Sequence, residues 1–521
     1  GEEGEQREGG EGDARRRRGG GGGGRKEERS EGGQREGGEG RGEGSKGMED
    51  EKEGGAKGGR GGGGRGGGAK LDVKDGFWRM AVSDDDAWNF CYVLPSLNKS
   101  TNIDDIEIVV PNSLQMGWCE SPPFFCSASE TARDIMDNIR HKPLPPHEFE
   151  HRMLPRPTGE HRATATATTA IEVYVDDFIG VTNDASKENL TALSRAMLHG
   201  VHAVFPPPRV TGHAGGDPIS EKKLDKGEGT WSTEKEVLGW EFDGVAKTIK
   251  LPTKKWNDIR ALIRSILKGR TTTLHKFQRM AGKLQHAAFG IPGGKSLFTP
   301  IDMAMKGDPA VIPITPELRQ CIEDWRVLIQ IMHKAPVSVR QLVIRPPCYI
   351  GYSDACRLGA GGVWCSGTHT LEPFLWAVEW PQDVQAALLT DSNPGGSITM
   401  NEFELAGALL SLLALEKREV PLLYAHLAWF GDNITSVAWA YRLRNSRSRV
   451  AGFLLRFIGL RLHQLGASNL IPHHIAGKEN VMADFISRSF KNGVYFEHAS
   501  NGLVPYFNTT FPLQSGSWTE C

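Results

Sequence analysis

The sequence predicts an α+β unit joined through a helical segment to an α/β unit, behind a disordered N-terminal tract. Three observations carry that prediction. Composition changes near residue 70 from Gly, Glu and Arg to an ordinary apolar mixture. Ile171, Val173 and Val175 alternate as a half-buried strand does, with a second strand following at Phe178, Ile179 and Gly180. From Tyr349 a strand containing an acid runs into a turn rich in Gly359, Gly361 and Gly362 and a returning strand, with helices beyond. At 521 residues the chain exceeds one hydrophobic core, and length alone suggests about three units.

Residues 1–69 have almost no apolar side chains, so they cannot bury enough surface to offset ordering entropy. Their Arg-Gly-Gly pieces and Arg15 to Arg18 suit RNA phosphates, although acids and bases nearly balance and low-complexity sequence without a role is the plainer reading. A formal charge of −2 gives no global attraction to nucleic acid, so any binding surface is local. Eight scattered cysteines without a Cys-x-x-Cys pair indicate neither a zinc site nor a disulfide framework. Reduced thiols, no apolar stretch long enough for a bilayer and no signal peptide lead to the expectation of an intracellular protein, in cytoplasm or nucleus, with no membrane partner. Asn98 and Asn508, in Asn-x-Ser/Thr sequons, therefore carry little meaning.

Tyr174-Val175-Asp176-Asp177 places adjacent carboxylates at the tip of the predicted hairpin. Like charges side by side repel, and one chemical use for them is to hold divalent cations; a solvated turn is the alternative for the tetrapeptide alone. Upstream stands Leu71-Asp72-Val73-Lys74-Asp75-Gly76-Phe77-Trp78. Between lie Gln115-Met116-Gly117-Trp118 and Cys119-Glu120-Ser121-Pro122-Pro123, feeding a predicted helix from Ser127 to Ile139. Downstream come Val237-Leu238-Gly239-Trp240-Glu241-Phe242 and a predicted strand from Lys247 to Leu251.

In this order the segments resemble the palm of a reverse transcriptase. The resemblance implies that Asp72, Asp176 and Asp177 are the polymerase carboxylates, that Met116, Gly117, Trp118, Ser121 and Pro122 lie under template and nucleotide, and that Leu238, Gly239 and Trp240 form the primer grip. Phe77 matches the aromatic that excludes a 2′-hydroxyl, which implies deoxynucleotides; an ordinary core aromatic is the alternative. Two divalent ions, Mg²⁺ or Mn²⁺, roughly 3.5–4 Å apart would clamp an in-line phosphoryl transfer.

The later acids form a second constellation. Asp354 falls in a strand, and Glu404 falls near the start of a helix whose apolar face is Leu405, Ala408, Leu409, Leu412 and Leu413. Asp432 ends a strand before a helix from Thr435, and Asp484 follows His474-Ile475-Ala476-Gly477-Lys478-Glu479-Asn480. Together they resemble the ribonuclease H domain, whose Asp-Glu-Asp-Asp set holds two Mg²⁺ ions and whose mobile histidine is matched by His474. Glu402 and His473 are neighbouring rivals for Glu404 and His474.

Between the constellations, Lys254 to Lys283 predicts two basic amphipathic helices. Leu262, Ile263, Ile266 and Leu267 form one apolar face, and Leu274, Phe277, Ala281 and Leu284 the other. Lys254, Lys255, Arg260, Arg264, Lys276, Arg279 and Lys283 lie outward, suiting a thumb that holds a duplex by its phosphates; a solvated face is the alternative. Arg442, Arg444, Arg447 and Arg449 form a weaker cluster for a hybrid near the second site. Gly290 to Ser296 ends like a phosphate loop but has Phe289 where Gly is needed, which rejects a nucleotide-triphosphatase.

The resemblance is thus to a retroelement reverse transcriptase with a C-terminal ribonuclease H domain, of long-terminal-repeat or DIRS-like type. It implies an α+β polymerase palm (70–251), helical thumb and connection (252–344), an α/β ribonuclease H-like domain (345–495) and a tail (496–521). His141 to Thr169 and Phe205 to Trp231 are expected to be inserted loops. Finger strands are missing ahead of Asp72, and with Gly1 in place of Met this leads to the expectation of a fragment or a gene model with a replaced upstream exon. The implied partners are an RNA template, a DNA primer, their hybrid, deoxynucleoside triphosphates and other retroelement proteins. Alternatives are a fingerless fragment with ribonuclease H activity alone and a non-enzymatic nucleic-acid-binding remnant.

Overall fold

A computed structural model describes residues 67–94, 106–155, 168–208, 216–445 and 447–521. Residues 1–66 of the Gly-rich tract, including Arg15 to Arg18, lie outside these, as do Asn98, 156–167 with most of the Ala-Thr repeat, and 209–215.

The N-terminal unit is built on three antiparallel strands, β1 (Gly67–Asp72), β4 (Thr169–Tyr174) and β5 (Asp177–Thr182), in the order β1-β5-β4. A short pair, β2 (Tyr92–Val93) and β3 (Ile108–Val109), stands apart. Gly67, Gly68 and Ala69, expected to be disordered, are paired with Thr182, Val181 and Gly180. Helices α1 (Ser121–Ile139) and α3 (Lys187–Val204) cover the sheet, burying Phe125 and Met136 against Phe178, Met197 and Val201. The first of these begins six residues before the expected Ser127, because Pro122 and Pro123 occupy its first turn, where a missing N–H costs nothing.

Both expected loops contribute to this core. Helix α2 (Glu150–Met153) buries Met153 beside Phe149, and Glu150 pairs with Arg195 of α3 at 2.7 Å. Helix α4 (Glu221–Asp225) buries Leu224, while Trp231 donates to Ser194 Oγ at 2.9 Å. These segments lack periodicity yet are anchored by single large side chains.

A second sheet combines β6 (Glu234–Val237), β7 (Trp240–Asp243), β8 (Thr248–Lys250) and β11 (Val337–Ser338) in the order β11-β8-β7-β6. It packs with α5 (Thr253–Leu267), α6 (Leu274–Ala287), α7 (Thr299–Met305) and α8 (Pro316–Lys334). Strands β9 (Thr271–Thr273) and β10 (Val311–Pro313) tie the helix connections together. The two expected basic helices are α5 and α6; Ile259, Ile263 and Ile266 of one meet Phe277, Met280 and Leu284 of the other in the core, with Leu262, Leu267 and Leu274 at its margin.

The C-terminal unit is a mixed sheet of six strands: β12 (Tyr349–Ala355), β13 (Gly359–Ser366), β14 (Phe374–Glu379), β15 (His426–Gly431), β16 (Asn469–His474) and β17 (Thr519–Glu520). Their order is β16-β15-β12-β13-β14-β17, with β12, β13 and β14 antiparallel and β15 and β16 parallel to β12. Helix α9 (Gln382–Ala386) lies in the connection that follows β14. Helices α10 (Met400–Lys417), α11 (Ile434–Arg442) and α12 (Arg449–Gln464) pack with Trp364 and Trp429 on one face. On the other, α13 (Val481–Ser487) and α14 (Leu503–Thr510) enclose Val363, Leu375, Phe485 and Phe507.

Two expectations change here. Residues 496–521 are no tail, since α14 fills one face and β17 extends the sheet beside β14. Nor is Arg444 an open nucleic-acid contact: both its ends grip Asp302 of α7, its Nη1 donates to Gln285 at 3.1 Å and its guanidinium lies over Phe298. Arg442, Arg447 and Arg449 remain exposed. The segment that imitated a phosphate loop serves packing instead, with Gly293 (φ 76°) and Ser296 pressed against Gly459 of α12.

Phe507 is fully buried, and Phe507→Ala is expected to destabilise the C-terminal unit by about 3–5 kcal/mol. Denaturant unfolding followed by tryptophan fluorescence would check this; an unchanged midpoint would return residues 496–521 to the status of a tail.

Candidate active sites

Three strand and helix ends converge at one edge of the C-terminal sheet. Asp354 is the penultimate residue of β12, Glu404 lies in the first turns of α10, and Asp432 follows the last residue of β15. Parallel pairing of β12 with β15 sets the two aspartates side by side, and their oxygens and one of Glu404 lie within 4.8 Å of one another. Trp429 Nε1 donates to Ser353 Oγ at 2.8 Å and locks the strand pair beneath.

Asp484 enters from the opposite face on α13. That helix lies directly on β13 because Gly361 has no side chain: a Cβ there would stand 2.1 Å from Ile486 Cγ2. Asn480 anchors its start by donating to the Ser353 carbonyl at 3.0 Å, and Ser487 Oγ donates to Asp354 Oδ2. Arg488 pairs with Asp484 at 2.6 Å. The rivals separate. Glu402 accepts from Thr399 and closes a capping box, leaving Glu404 to face the aspartates. His473 stacks on Phe430 at 4.8 Å, whereas His474 Nε2 lies 3.1 Å from the Asp432 carbonyl.

Electrostatically the cluster is tense. Burial raises Asp354 to about 7, helped by the charges of Asp432 and Asp484 and opposed by the Ser487 hydrogen bond and Arg488. Burial, then Asp354 and Asp432, raise Glu404 well above the usual carboxylate range. Asp484 is raised mainly by burial, against Arg488. Glu404 Oε2 is buried with no hydrogen-bond partner. An orphaned oxygen beside crowded carboxylates suits a hard divalent cation, which Asp354, Glu404 and Asp432 can hold with Asp484 alongside.

The N-terminal carboxylates meet differently. Asp72 stands opposite Asp177 across β1 and β5, with Asp176 in the hairpin tip. Val175 takes φ 57° there, a left-handed conformation that costs a β-branched residue about 1–3 kcal/mol. Ammonium groups compensate the acids: Lys70 pairs with Asp177 at 3.0 Å, and Lys223 of α4 donates to Asp72. Burial outweighs Lys223, so Asp72 is raised to about 6, with Asp176 and Asp177 adding to the rise. Among the described residues, only the C-terminal cluster brings three possible metal ligands together so closely. Lys70 had a sequence signal, since period 2 puts it on the face of Asp72. Lys223 had none, lying in an expected loop, and Ser487 and Arg488 were also missed.

The neighbouring candidates divide by exposure. Phe77 is half-buried against Phe125 at 5.1 Å. Met116 and Pro122 are exposed, Gly117 has φ 104°, and Trp118 stacks on Phe124. Ser121 is buried and its Oγ donates to the Gln115 carbonyl at 2.8 Å, which fixes the turn. Leu238 (φ 49°) and Gly239 (φ 75°) form the tight turn between β6 and β7, and Trp240 is buried against His286. Lys255 points inward to the Gly239 carbonyl at 3.1 Å, so it props this turn. Lys276 donates to Ser265, Lys283 pairs with Asp258 at 3.5 Å and Arg260 covers Trp256, while Lys254, Arg264 and Arg279 are exposed.

No family model and no curated protein sequence matches the chain. Among solved structures it is similar to the foamy viral protease-reverse transcriptase in complex with an RNA/DNA hybrid, at 12% identity and TM-score 0.36, covering 79% of this chain and 44% of that one. The same viral protein with dsDNA gives 14% identity and TM-score 0.36, covering 79% and 68%. Ribonuclease H1 from the halophilic archaeon Halobacterium salinarum gives 14% identity and TM-score 0.20, covering 27% and 95%. The chain therefore spans less than half the length of the first of these structures.

Raised carboxylate pKa values have a definite sign. At Asp354 the folded state binds more protons than the unfolded one between about pH 4 and 7, so this residue lowers stability as pH rises through that window, and Glu404, also raised, acts in the same direction. In EDTA the melting temperature is expected to fall from pH 5 to pH 8, and Asp354→Asn to raise it by several degrees at pH 8 only. An equal effect of the substitution at both pH values would show that the aspartate is not strained.

Proposed function

We propose that the chain is the polymerase and ribonuclease H portion of a retroelement reverse transcriptase, acting on both sites by phosphoryl transfer. The observation that carries this reading is the convergence of Asp354 and Glu404, both buried and raised in pKa, with Asp432 at the ends of two neighbouring strands, and with Asp484, also raised, beside them. A protein keeps charges in such strain where a bound cation relieves it.

At the C-terminal site the four acids would hold Mg²⁺ or Mn²⁺, whose charge when bound stabilises the attacking and leaving oxygens of an in-line displacement. Ser487 and Arg488 orient Asp354 and Asp484, and Asn480 holds their helix on the sheet. His474, exposed with its Nε2 beside the Asp432 carbonyl, would carry a proton to or from a leaving oxygen. The substrate is the RNA strand of an RNA–DNA hybrid.

At the N-terminal site Asp72, Asp176 and Asp177 are the corresponding ligands, with Lys70 and Lys223 as counter-ions until a cation binds. Phe77 would lie under the deoxyribose, and Met116, Gly117, Trp118 and Pro122 would line the path of template and incoming triphosphate. The Leu238–Trp240 turn would hold the primer end, and Lys254, Arg264 and Arg279 would meet duplex phosphates. Cleavage without polymerisation is the second reading. The difference between the sites favours it: the C-terminal ligands are already assembled, whereas ammonium groups engage two of the N-terminal acids.

The test combines a labelled RNA template, a labelled DNA primer, deoxynucleotides and Mg²⁺, with both strand lengths read on one gel. Asp354→Asn is expected to slow RNA cleavage on the order of 10²–10³-fold and spare extension, and Asp176→Asn to do the reverse. Cleavage without extension selects the second reading, and undiminished cleavage by Asp354→Asn refutes the assignment of that site.

A further inference from the structure

The strands that carry Asp354 and Asp432 at one end begin, at the other, in a different chemical setting. Tyr349 opens β12 and His426 opens β15, about 16–20 Å from the carboxylates by strand rise. Here residues of the segment leaving β11 line a cavity of ≈ 570 Å³. Its wall includes Arg340, Arg345, Thr368, His369, Tyr424 and His426, and no carboxylate lines it. In size it falls within the range of small-molecule sites, roughly 300–1,000 Å³.

His426 forms the floor, only 2% exposed, yet neither ring nitrogen has a partner at hydrogen-bonding geometry. The Arg340 carbonyl is near enough to favour a proton on the ring, but burial and the Arg345 charge outweigh it and hold the imidazole below its usual range. A neutral imidazole offers one donor and one acceptor, and with the Arg340 carbonyl near one ring nitrogen the other is left unmet in the protein interior, which is costly. At the rim Arg340 lies over the Tyr424 ring, 5.9 Å from its centroid, while Arg345, Thr368 and His369 are exposed. Tyr424 itself is held at φ 61° by its N–H to the Gly466 carbonyl at 2.8 Å.

The recognition chemistry follows. Two arginines lining one cavity, with hydroxyl and imidazole groups and no opposing acid, favour a phosphate, and exposed tyrosine and histidine rings offer planes to a base. We propose that this cavity binds a nucleoside monophosphate unit, its phosphate between Arg340 and Arg345 and its base against Tyr424. The unit is supplied as a free nucleotide or as the 5′-phosphorylated end of a strand. This site is separate from both carboxylate sites and does not depend on their assignment.

The test is calorimetry on the full chain in EDTA, which silences metal-dependent binding. AMP, adenosine, and one oligonucleotide with and without a 5′-phosphate are the titrants. AMP is expected to bind saturably and adenosine at least about tenfold more weakly. Arg340→Ala and Arg345→Ala, both on the exposed rim, should each lower AMP affinity about tenfold with unchanged melting temperature, and Asp354→Asn should leave it unaltered. A 5′-phosphate preference of the oligonucleotide that disappears in Arg345→Ala identifies strand ends as the source. AMP binding without that preference identifies the free nucleotide. Absence of both, or AMP binding indifferent to the two arginine substitutions, overturns the proposal.

Discussion

Repulsion between carboxylates held out of water is the constraint around which the C-terminal unit is organised. Asp354, Glu404 and Asp432 oppose one another, so nothing local would bring them together. The sheet and the helices on both its faces impose the meeting. Trp364 and Trp429 with α10 and α12 fill one side, and Phe485 and Phe507 fill the other. Apolar burial on this scale, about 25 cal/mol per Å², supplies the free energy that the acids oppose. The same layers set direction: parallel pairing aligns the ends of β12 and β15, and Gly361 lets α13 sit close enough to add Asp484.

The N-terminal unit solves a similar problem by different means. Its acids lie across an antiparallel ladder and around a two-residue tip, and the compensation comes from ammonium groups. Lys70 arrives with its own strand, but Lys223 reaches Asp72 from α4 across 151 residues of sequence. Its seat depends on Ile219, Leu224 and Trp231, which anchor an otherwise irregular segment in the core. One unit therefore has Asp354, Glu404 and Asp432 gathered by the fold, with Arg488 paired to Asp484 alone, and the other has two of its acids paired directly with ammonium groups.

Much of this was legible in the sequence, for reasons specific to each element. The hairpin around Asp176 announces itself by period-2 alternation, and α5 and α6 by apolar residues at helical spacing. Asp354 and Asp432 stand at strand ends before glycine or helix signals, so their placement followed from local rules. Glu404 was separable from Glu402 only by resemblance until the capping box showed where Glu402 turns. What escaped reading was non-local. Arg444 sits in a run of arginines, and only its fit to Asp302, 142 residues away, distinguishes it from its neighbours. Lys255 has the sequence context of a phosphate contact, and its inward turn to Gly239 is a tertiary fact. Residues 496–521 carry no periodicity, and their order comes from Phe507 and Trp518 entering a pocket built by other strands.

That last arrangement bears on how the polypeptide is made. Thr519 and Glu520 close the sheet beside β14, whereas β12, β13 and β14 leave the ribosome more than a hundred residues sooner. During translation the sheet therefore waits with an open edge at Phe374 and Leu375 and an uncovered apolar face at Phe485 and Ile486. An open edge is a template for pairing with another chain, so the interval before residues 503–520 emerge is when nascent copies are most prone to associate wrongly. Slow synthesis of that segment would lengthen the hazard, and a chaperone bound at the nascent edge would shorten it.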